Sequence, residues 1–115
     1  MNQYTKINPE QCEYFPVAQE EELTDGERLF VEIDGVPIVM FRIGGKLYAI
    51  SDACSHDDGP LGDGELEGMR IICPRHGAQF DVQTGKALSL PAVQDISAYP
   101  VRIVDHTIEI GFPKA

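Results

Sequence analysis

The sequence has few basic residues, few cysteines and no long apolar run. Only 9 Lys and Arg stand against 19 Asp and Glu, giving a formal charge of −10 that would repel a phosphate backbone, so nucleic-acid binding is not expected. Three cysteines are an odd number, which argues against a closed disulfide framework and favours a reducing, cytoplasmic compartment. No segment is apolar enough to span a bilayer or to act as a leader, so neither membrane insertion nor secretion is expected.

Helical periodicity is also missing, because no window of helical length shows a sustained repeat of 3.6 residues. The 11 glycines and 8 prolines favour short strands joined by turns. Local patterns predict strands over residues 12–18, 28–33, 36–43, 46–50, 69–72, 79–82, 99–104 and 107–112. Asp34-Gly35 and Gly44-Gly45 are typical of tight hairpin turns, which join three of these strands into a meander.

Between the meander and the last hairpin the alternation fails. Residues 52–68 are rich in Asp and Gly, and residues 87–98 are predicted to form a loop. We therefore predict an all-β chain of antiparallel strands with a loop-rich insertion between the meander and the last hairpin. The 115 residues are expected to form a single domain.

The inserted segment contains two pairs of potential metal ligands. Cys54 and His56 form a C-x-H pair, Cys73 and His76 form a C-x-x-H pair, and 16 residues separate the pairs. The chain has only three histidines, and two of them are in these pairs. Thiolate and imidazole suit zinc and iron–sulfur centres, so the pattern predicts a metal site of one of these kinds.

These pairs resemble the two cluster-binding boxes of the Rieske [2Fe-2S] family. The second box continues through Gly77, residues 78–81 (Ala-Gln-Phe-Asp) and Gly85, as the boxes of that family do. Residues 90–92 (Leu-Pro-Ala) resemble its proline loop, which covers the cluster, and residues 99–101 (Tyr-Pro-Val) resemble its returning strand. The resemblance spans nearly the whole chain. It implies the Rieske fold, an antiparallel β-sandwich base with an inserted loop-rich cluster-binding subdomain at about residues 52–84.

The resemblance also implies a cofactor, a role and partners. Cys54 and Cys73 would hold one iron of a single [2Fe-2S] cluster, and His56 and His76 would hold the outer iron, near the surface. The chain would then be a soluble one-electron carrier, a ferredoxin. It would pass electrons from a flavin-dependent reductase to a terminal, ring-hydroxylating oxygenase and would have no catalytic residues of its own.

Four positions depart from the high-potential members of that family. Gly59 and Arg75 stand where those proteins have a bridging pair of cysteines, and Ala78 and Phe80 stand where they have hydroxyl groups. Fewer hydrogen-bond donors stabilise the reduced cluster less. The implied potential therefore lies toward the negative end of the roughly −150 to +300 mV Rieske range.

An acidic stretch surrounds the first box and contains no Lys or Arg. Such a patch could steer a basic docking partner. Its members are Asp52, Asp57, Asp58, Asp63, Glu65 and Glu67.

Two other readings of the ligand pairs stay open at this point. The spacing alone does not exclude a structural zinc site in an interaction module, although the flanking matches favour iron–sulfur. The Rieske domain of an oxygenase would need a further iron held by two His and a carboxylate, but only His106 remains, in a predicted turn. Cys12, in an apolar strand, is predicted to be a small core residue.

Overall fold

The computed structural model describes residues 7–54, 59–74, 77–90 and 94–114. These ranges contain eleven strands and two short 3₁₀ turns, Pro9–Gln11 and Glu20–Glu22. The strands are β1 (Cys12–Gln19), β2 (Arg28–Ile33), β3 (Val36–Ile43), β4 (Lys46–Ser51), β5 (Glu65–Glu67), β6 (Arg70–Ile72), β7 (Gln79–Asp81), β8 (Ala87–Ser89), β9 (Ala98–Tyr99), β10 (Val101–Val104) and β11 (Thr107–Pro113).

The strands form three antiparallel sheets. The first has the order β1-β11-β10, the second β2-β3-β4-β9 and the third β5-β6-β7-β8. The first two sheets form the predicted sandwich base. The third sheet takes β5, β6 and β7 from the predicted insertion and β8 from the residues that follow it. The all-β prediction is confirmed, including the meander β2-β3-β4.

The second sheet is covered on both faces. Ile38 and Met40 of β3 pack toward Ile108 and Ile110 of the first sheet. The alternate side chains of β3, Val39 and Phe41, belong to a second buried cluster with residues of the third sheet and its loops. All four of these β3 residues are fully buried, as expected for a strand with a packed layer on each side.

The hairpin turns follow the sequence closely. Asp34 and Gly35 have φ of 54° and 79°, the left-handed pair that a two-residue turn with the right-handed twist of strands requires. Asp105 and His106 have φ of 51° and 66° at the β10–β11 turn. Asp and His are among the non-glycine residues that tolerate this conformation best.

Three segments differ from the sequence-based prediction. β5 lies inside the aperiodic stretch 52–68, and β8 occupies the first part of the predicted loop 87–98. Strands of three residues are too short to show a period, and pairing with β6 and β7 stabilises them. The predicted strand 99–104 is split at Pro100, where the chain passes from the second sheet to the first.

Among the described residues, no helix has the length and apolar character needed to cross a membrane.

Candidate metal centre

Cys54 and Cys73 are buried together between the second and third sheets. Cys54 is 0% exposed and Cys73 is 1% exposed. Both belong to the buried cluster that contains Val39 and Phe41, on the face of β3 opposite the first sheet. We call this cluster the inner core. Its members are Val39, Phe41, Ile50, Cys54, Leu61, Ile71, Cys73, Ala78, Phe80, Val82 and Ile96.

Each of these cysteines begins a tight loop. The Cys54 N–H donates to the carbonyl of Gly59 at 2.9 Å, and the Cys73 N–H donates to the carbonyl of Ala78 at 2.7 Å. Gly77 completes the second loop with an N–H···O bond of 3.0 Å to Cys73 and a φ of 76°. In both loops the cysteine is therefore bonded to the residue five positions later, which turns the chain back on itself.

Glycine is required where the first loop returns to the sheet. A Cβ at Gly64 would lie 1.8 Å from the carbonyl oxygen of Ile72, the residue that precedes Cys73. The Gly64 N–H also donates to Leu61 O at 3.0 Å. The end of the first loop thus packs directly against the backbone that leads into the second.

The segment after the predicted proline loop is fastened to the same subdomain. Asp95 accepts a hydrogen bond from the Ala87 N–H at 2.8 Å, and the Ile96 N–H donates to Gly85 O at 2.8 Å. A Cβ at Gly85 would lie 2.0 Å from Ile96 O, so only glycine permits this approach. Ser97 O accepts the Ser51 N–H at 3.0 Å, which ties the segment to β4.

The side chains around the two thiols suit a bound metal cluster. Ala78 and Phe80 are fully buried, and no polar or charged residue among those described falls in the buried class. A thiolate without a partner would be costly in such surroundings, whereas two ferric ions, two sulfides and two thiolates sum to a neutral centre. The buried thiol pair and its apolar surroundings therefore fit a [2Fe-2S] group.

The other two predicted ligands, His56 and His76, lie outside the described residues. With only two of the four ligands described, no group of three metal-binding side chains is found in these ranges. Further predictions also fall outside them, namely those on Asp57, Asp58, Arg75, Pro91 and Ala92.

One residue of the predicted acidic patch has a different role. Asp52 is half-buried, and its carboxylate accepts the N–H groups of Leu61 and Gly62 at 3.0 and 2.6 Å. Asp63 and Glu65 are exposed, as predicted for a surface patch. The sequence signal that could have separated Asp52 from the others is its position directly after a strand.

Cys12 and His106 lie apart from the inner core. Cys12 is buried at the start of β1, where its Sγ lies 3.5 Å from Asn8 O, and burial raises the pKa of its thiol while Lys114 partly offsets the rise. His106 is in the β10–β11 turn, with Nδ1 3.1 Å from Glu20 Oε1. The prediction that Cys12 is a small core residue is confirmed.

Comparison with known proteins identifies the family of the chain. The family model of the Rieske [2Fe-2S] domain matches residues 13–100. The chain belongs to the Rieske [2Fe-2S] domain family, and its cofactor is one [2Fe-2S] cluster.

Similar proteins include two ferredoxins of dioxygenase systems. The chain is 42% identical over 101 residues to the 3-phenylpropionate/cinnamic acid dioxygenase ferredoxin subunit of Shigella flexneri, covering 87% of this chain and 92% of that one. It is 40% identical over 82 residues to the ferredoxin component of the naphthalene 1,2-dioxygenase system of Pseudomonas putida, covering 71% and 79%.

A solved structure has the same fold. It is a chain from the complex of reduced oxygenase and oxidised ferredoxin in carbazole 1,9a-dioxygenase. The TM-score is 0.82 at 28% identity, and the match covers 89% of this chain and 95% of that one.

Proposed function

We propose that this protein is a one-electron carrier that receives an electron from a flavin-dependent ferredoxin reductase and passes it to a terminal, ring-hydroxylating oxygenase. Two relatives that the chain matches over most of their length are named as ferredoxin components of dioxygenase systems, which supports a carrier over an oxygenase. The complex of oxygenase and ferredoxin in carbazole 1,9a-dioxygenase supports the terminal oxygenase as partner. The reductase and a cytoplasmic location follow from the family resemblance and from the cysteine content.

The proposed ligand set is Cys54 and Cys73 for one iron and His56 and His76 for the other. The observation that carries it is the burial of the two cysteines in one apolar core, each at the start of a loop closed by the same hydrogen bond. In sequence, each histidine falls inside one of these loops. When bound, the cluster supplies a reversible one-electron site.

The described side chains of the chain contribute position and shielding. The inner core surrounds Cys54 and Cys73 with apolar side chains, and Leu61, Ala78 and Phe80 are each 0% exposed. Ala78 and Phe80 offer no side-chain donor to the site, which supports a potential in the low part of the Rieske range.

The test begins with the protein purified without oxygen and reduced with dithionite. A rhombic EPR signal with an average g below that of an all-cysteine cluster is expected, together with one electron per chain on titration with ferricyanide. Replacing His56 or His76 with Cys should move the average g toward that of an all-cysteine cluster. An unchanged signal in both variants, or zinc in place of iron in the wild-type protein, would overturn the proposed ligand set.

A further inference from the structure

Two charged side chains of the base hold the segment that leads from the first loop to β5. Asp52, just after β4, accepts the N–H groups of Leu61 at 3.0 Å and Gly62 at 2.6 Å with one carboxylate oxygen. Arg28, on β2, donates through Nη1 to the carbonyl of Gly62 and to that of Gly64, the latter at 2.7 Å. We call this arrangement the 62-clamp.

Gly62 is the residue that both side chains bind. Its N–H goes to Asp52 and its carbonyl to Arg28, so a negative and a positive group grip the two polar groups of one residue. A Cβ at this position would lie 2.7 Å from the Phe30 ring and 2.9 Å from Val39 Cγ2. The backbone therefore lies flat against the second sheet.

The 62-clamp acts on both ends of the first ligand loop. Asp52 precedes Cys54 by two residues, and its own N–H donates to Pro37 O at 2.9 Å. Leu61, bound through its N–H, has a fully buried side chain in the inner core with Cys54 and Cys73. One side chain thus fixes the chain before the first cysteine and the chain that returns after its loop.

Arg28 is itself held in place. Its guanidinium lies over the ring of Phe41, 5.2 Å from the centroid, and Phe41 is a buried member of the inner core. Hydrogen bonds with one ionised partner are roughly twice as strong as neutral ones. Because the two charges are opposite, the 62-clamp obtains this strength without adding net charge beside the site.

We propose that Arg28 and Asp52 are positioning residues for the iron–sulfur centre: they hold the loop of Cys54 and His56 on the base and thereby set how firmly the cluster is retained. The proposal rests on the proposed ligand set, because it assigns the first loop to the cluster. Neither residue touches the cluster in this proposal; both act through the backbone of residues 61–64.

The test compares two variants of the clamp with two matched controls in the holoprotein. Arg28→Met removes both hydrogen bonds that Nη1 donates. Asp52→Asn keeps the size of the side chain but removes its charge. Arg102 is the control arginine, since it lies 3.8 Å from the centroid of the Tyr14 ring and binds Glu109 at 2.7 Å in the first sheet. Its variant is Arg102→Met.

Asp25 is the control for Asp52. It accepts the Gly45 N–H at 2.8 Å at the end of the base, so Asp25→Asn removes one charge and weakens one backbone contact elsewhere. For these four variants and for Arg28→Lys, three quantities are measured: the rate at which visible absorbance is lost in the presence of an iron chelator, amide hydrogen exchange at Leu61 and Gly62, and the EPR spectrum after dithionite reduction.

Arg28→Met loses two hydrogen bonds from a charged donor, and Asp52→Asn weakens two hydrogen bonds to a charged acceptor. Both variants are therefore expected to lose the cluster about tenfold faster than the wild type. Exchange at Leu61 and Gly62 should accelerate, and the EPR lines should broaden because the first loop samples more positions. Arg28→Lys, which keeps the charge but not the planar fork, should fall between wild type and Arg28→Met. The two controls should stay within about twofold of the wild type.

Cluster loss at the wild-type rate with unchanged EPR lines in both clamp variants would overturn the proposal, and so would equal effects in clamp and control variants. If Arg28→Met does not assemble a cluster, Arg28→Lys and Asp52→Asn decide the matter. Failure of the proposed function would be seen separately, in the EPR signal and electron count of the wild-type protein.

Discussion

The backbone N–H groups of Cys54 and Cys73 donate to the carbonyls of the residues five positions further on, Gly59 and Ala78. The same type of hydrogen bond therefore closes two loops, each of which begins at a buried cysteine. The repetition matters because a metal cluster needs ligands from both loops at fixed distances. Each closing bond brings the residue five positions later back to the cysteine. In sequence, the histidine falls two residues after one cysteine and three after the other.

The three cysteines should differ in their importance for the cluster. Cys12→Ala is expected to leave the iron content at one cluster per chain, because Cys12 lies in β1 and outside the inner core. Cys54→Ala and Cys73→Ala should each abolish the visible absorbance. Iron and sulfide analysis with visible spectra checks this, and a loss of cluster in Cys12→Ala would contradict the assignment.

Cys12 should also contribute to the pH dependence of stability. Burial raises the pKa of its thiol above the ordinary value of 9.0, so the folded protein favours the protonated form. That contribution is complete below the pKa of the unfolded thiol and is lost as pH rises through the folded pKa. Guanidinium unfolding at about pH 7 and about pH 10 should show a smaller alkaline loss of stability in Cys12→Ala than in wild type.

Gly64→Ala should damage the metal site without changing any ligand. The new methyl group would meet the carbonyl of Ile72 at 1.8 Å, so the backbone that leads to Cys73 must move. We expect a loss of about 3 kcal/mol in the free energy of unfolding, at the upper end of overpacking effects, and a lower cluster content.

Gly68→Ala is the matched control for this change. Gly68 has a φ of 59° and nothing within 4 Å of an added Cβ, so only backbone strain of roughly 1 kcal/mol is expected. Thermal unfolding and iron analysis of the two variants make the comparison. Equal losses in both would mean that the close approach of Gly64 and Ile72 is unimportant.

Ala78→Ser should raise the reduction potential. Ala78 is fully buried in the inner core with both cysteines. A serine hydroxyl at this position is therefore expected to donate a hydrogen bond to a sulfur atom of the bound cluster or of a cysteine ligand. A donor stabilises the reduced, more negative cluster, and one net hydrogen bond corresponds to a shift on the order of tens of millivolts for one electron.

Potentiometric titration followed by EPR measures this shift. Ala18→Ser, on β1 of the first sheet and packed against the cluster of Ile38 and Ile110, is the control and should leave the potential nearly unchanged. A potential of Ala78→Ser at or below that of the wild type would contradict the explanation of the low potential by missing donors.

The acidic surface should act on the rate of association with the oxygenase. Asp63 and Glu65 are exposed and follow the first loop in sequence, and removing their charges with Asp63→Asn and Glu65→Gln should slow electron transfer a few-fold at low salt. The effect should disappear as the Debye length falls to about 3 Å near 1 M salt. Stopped-flow oxidation of the reduced protein by a terminal oxygenase measures it.

Glu13→Gln provides the control. Glu13 is exposed on β1 of the first sheet, so this substitution removes one negative charge from another surface. If all three variants lower the rate equally, the rate depends on the overall charge of the protein and not on the surface that contains Asp63 and Glu65.

The sequence by itself determined the meander, the hairpin turns and the cysteine–histidine pairs. The alternation over residues 28–50 and the turn residues Asp34-Gly35 act locally, so they can be recognised without knowledge of the rest of the chain. The ligand types and their spacing are equally local, and together with the flanking residues they led to the family that the comparisons confirm.

Only the tertiary structure decided how these parts are joined. β5 and β8 are three residues long and exist because neighbouring strands pair with them, and Arg28 reaches Gly62 across 34 residues of sequence. The sequence placed Asp52 in the acidic patch with the other carboxylates, whereas in the structure its carboxylate accepts the N–H groups of Leu61 and Gly62. Contacts between distant residues leave no periodic or local signal, because their stability comes from packing and hydrogen bonds that form only when the sheets come together.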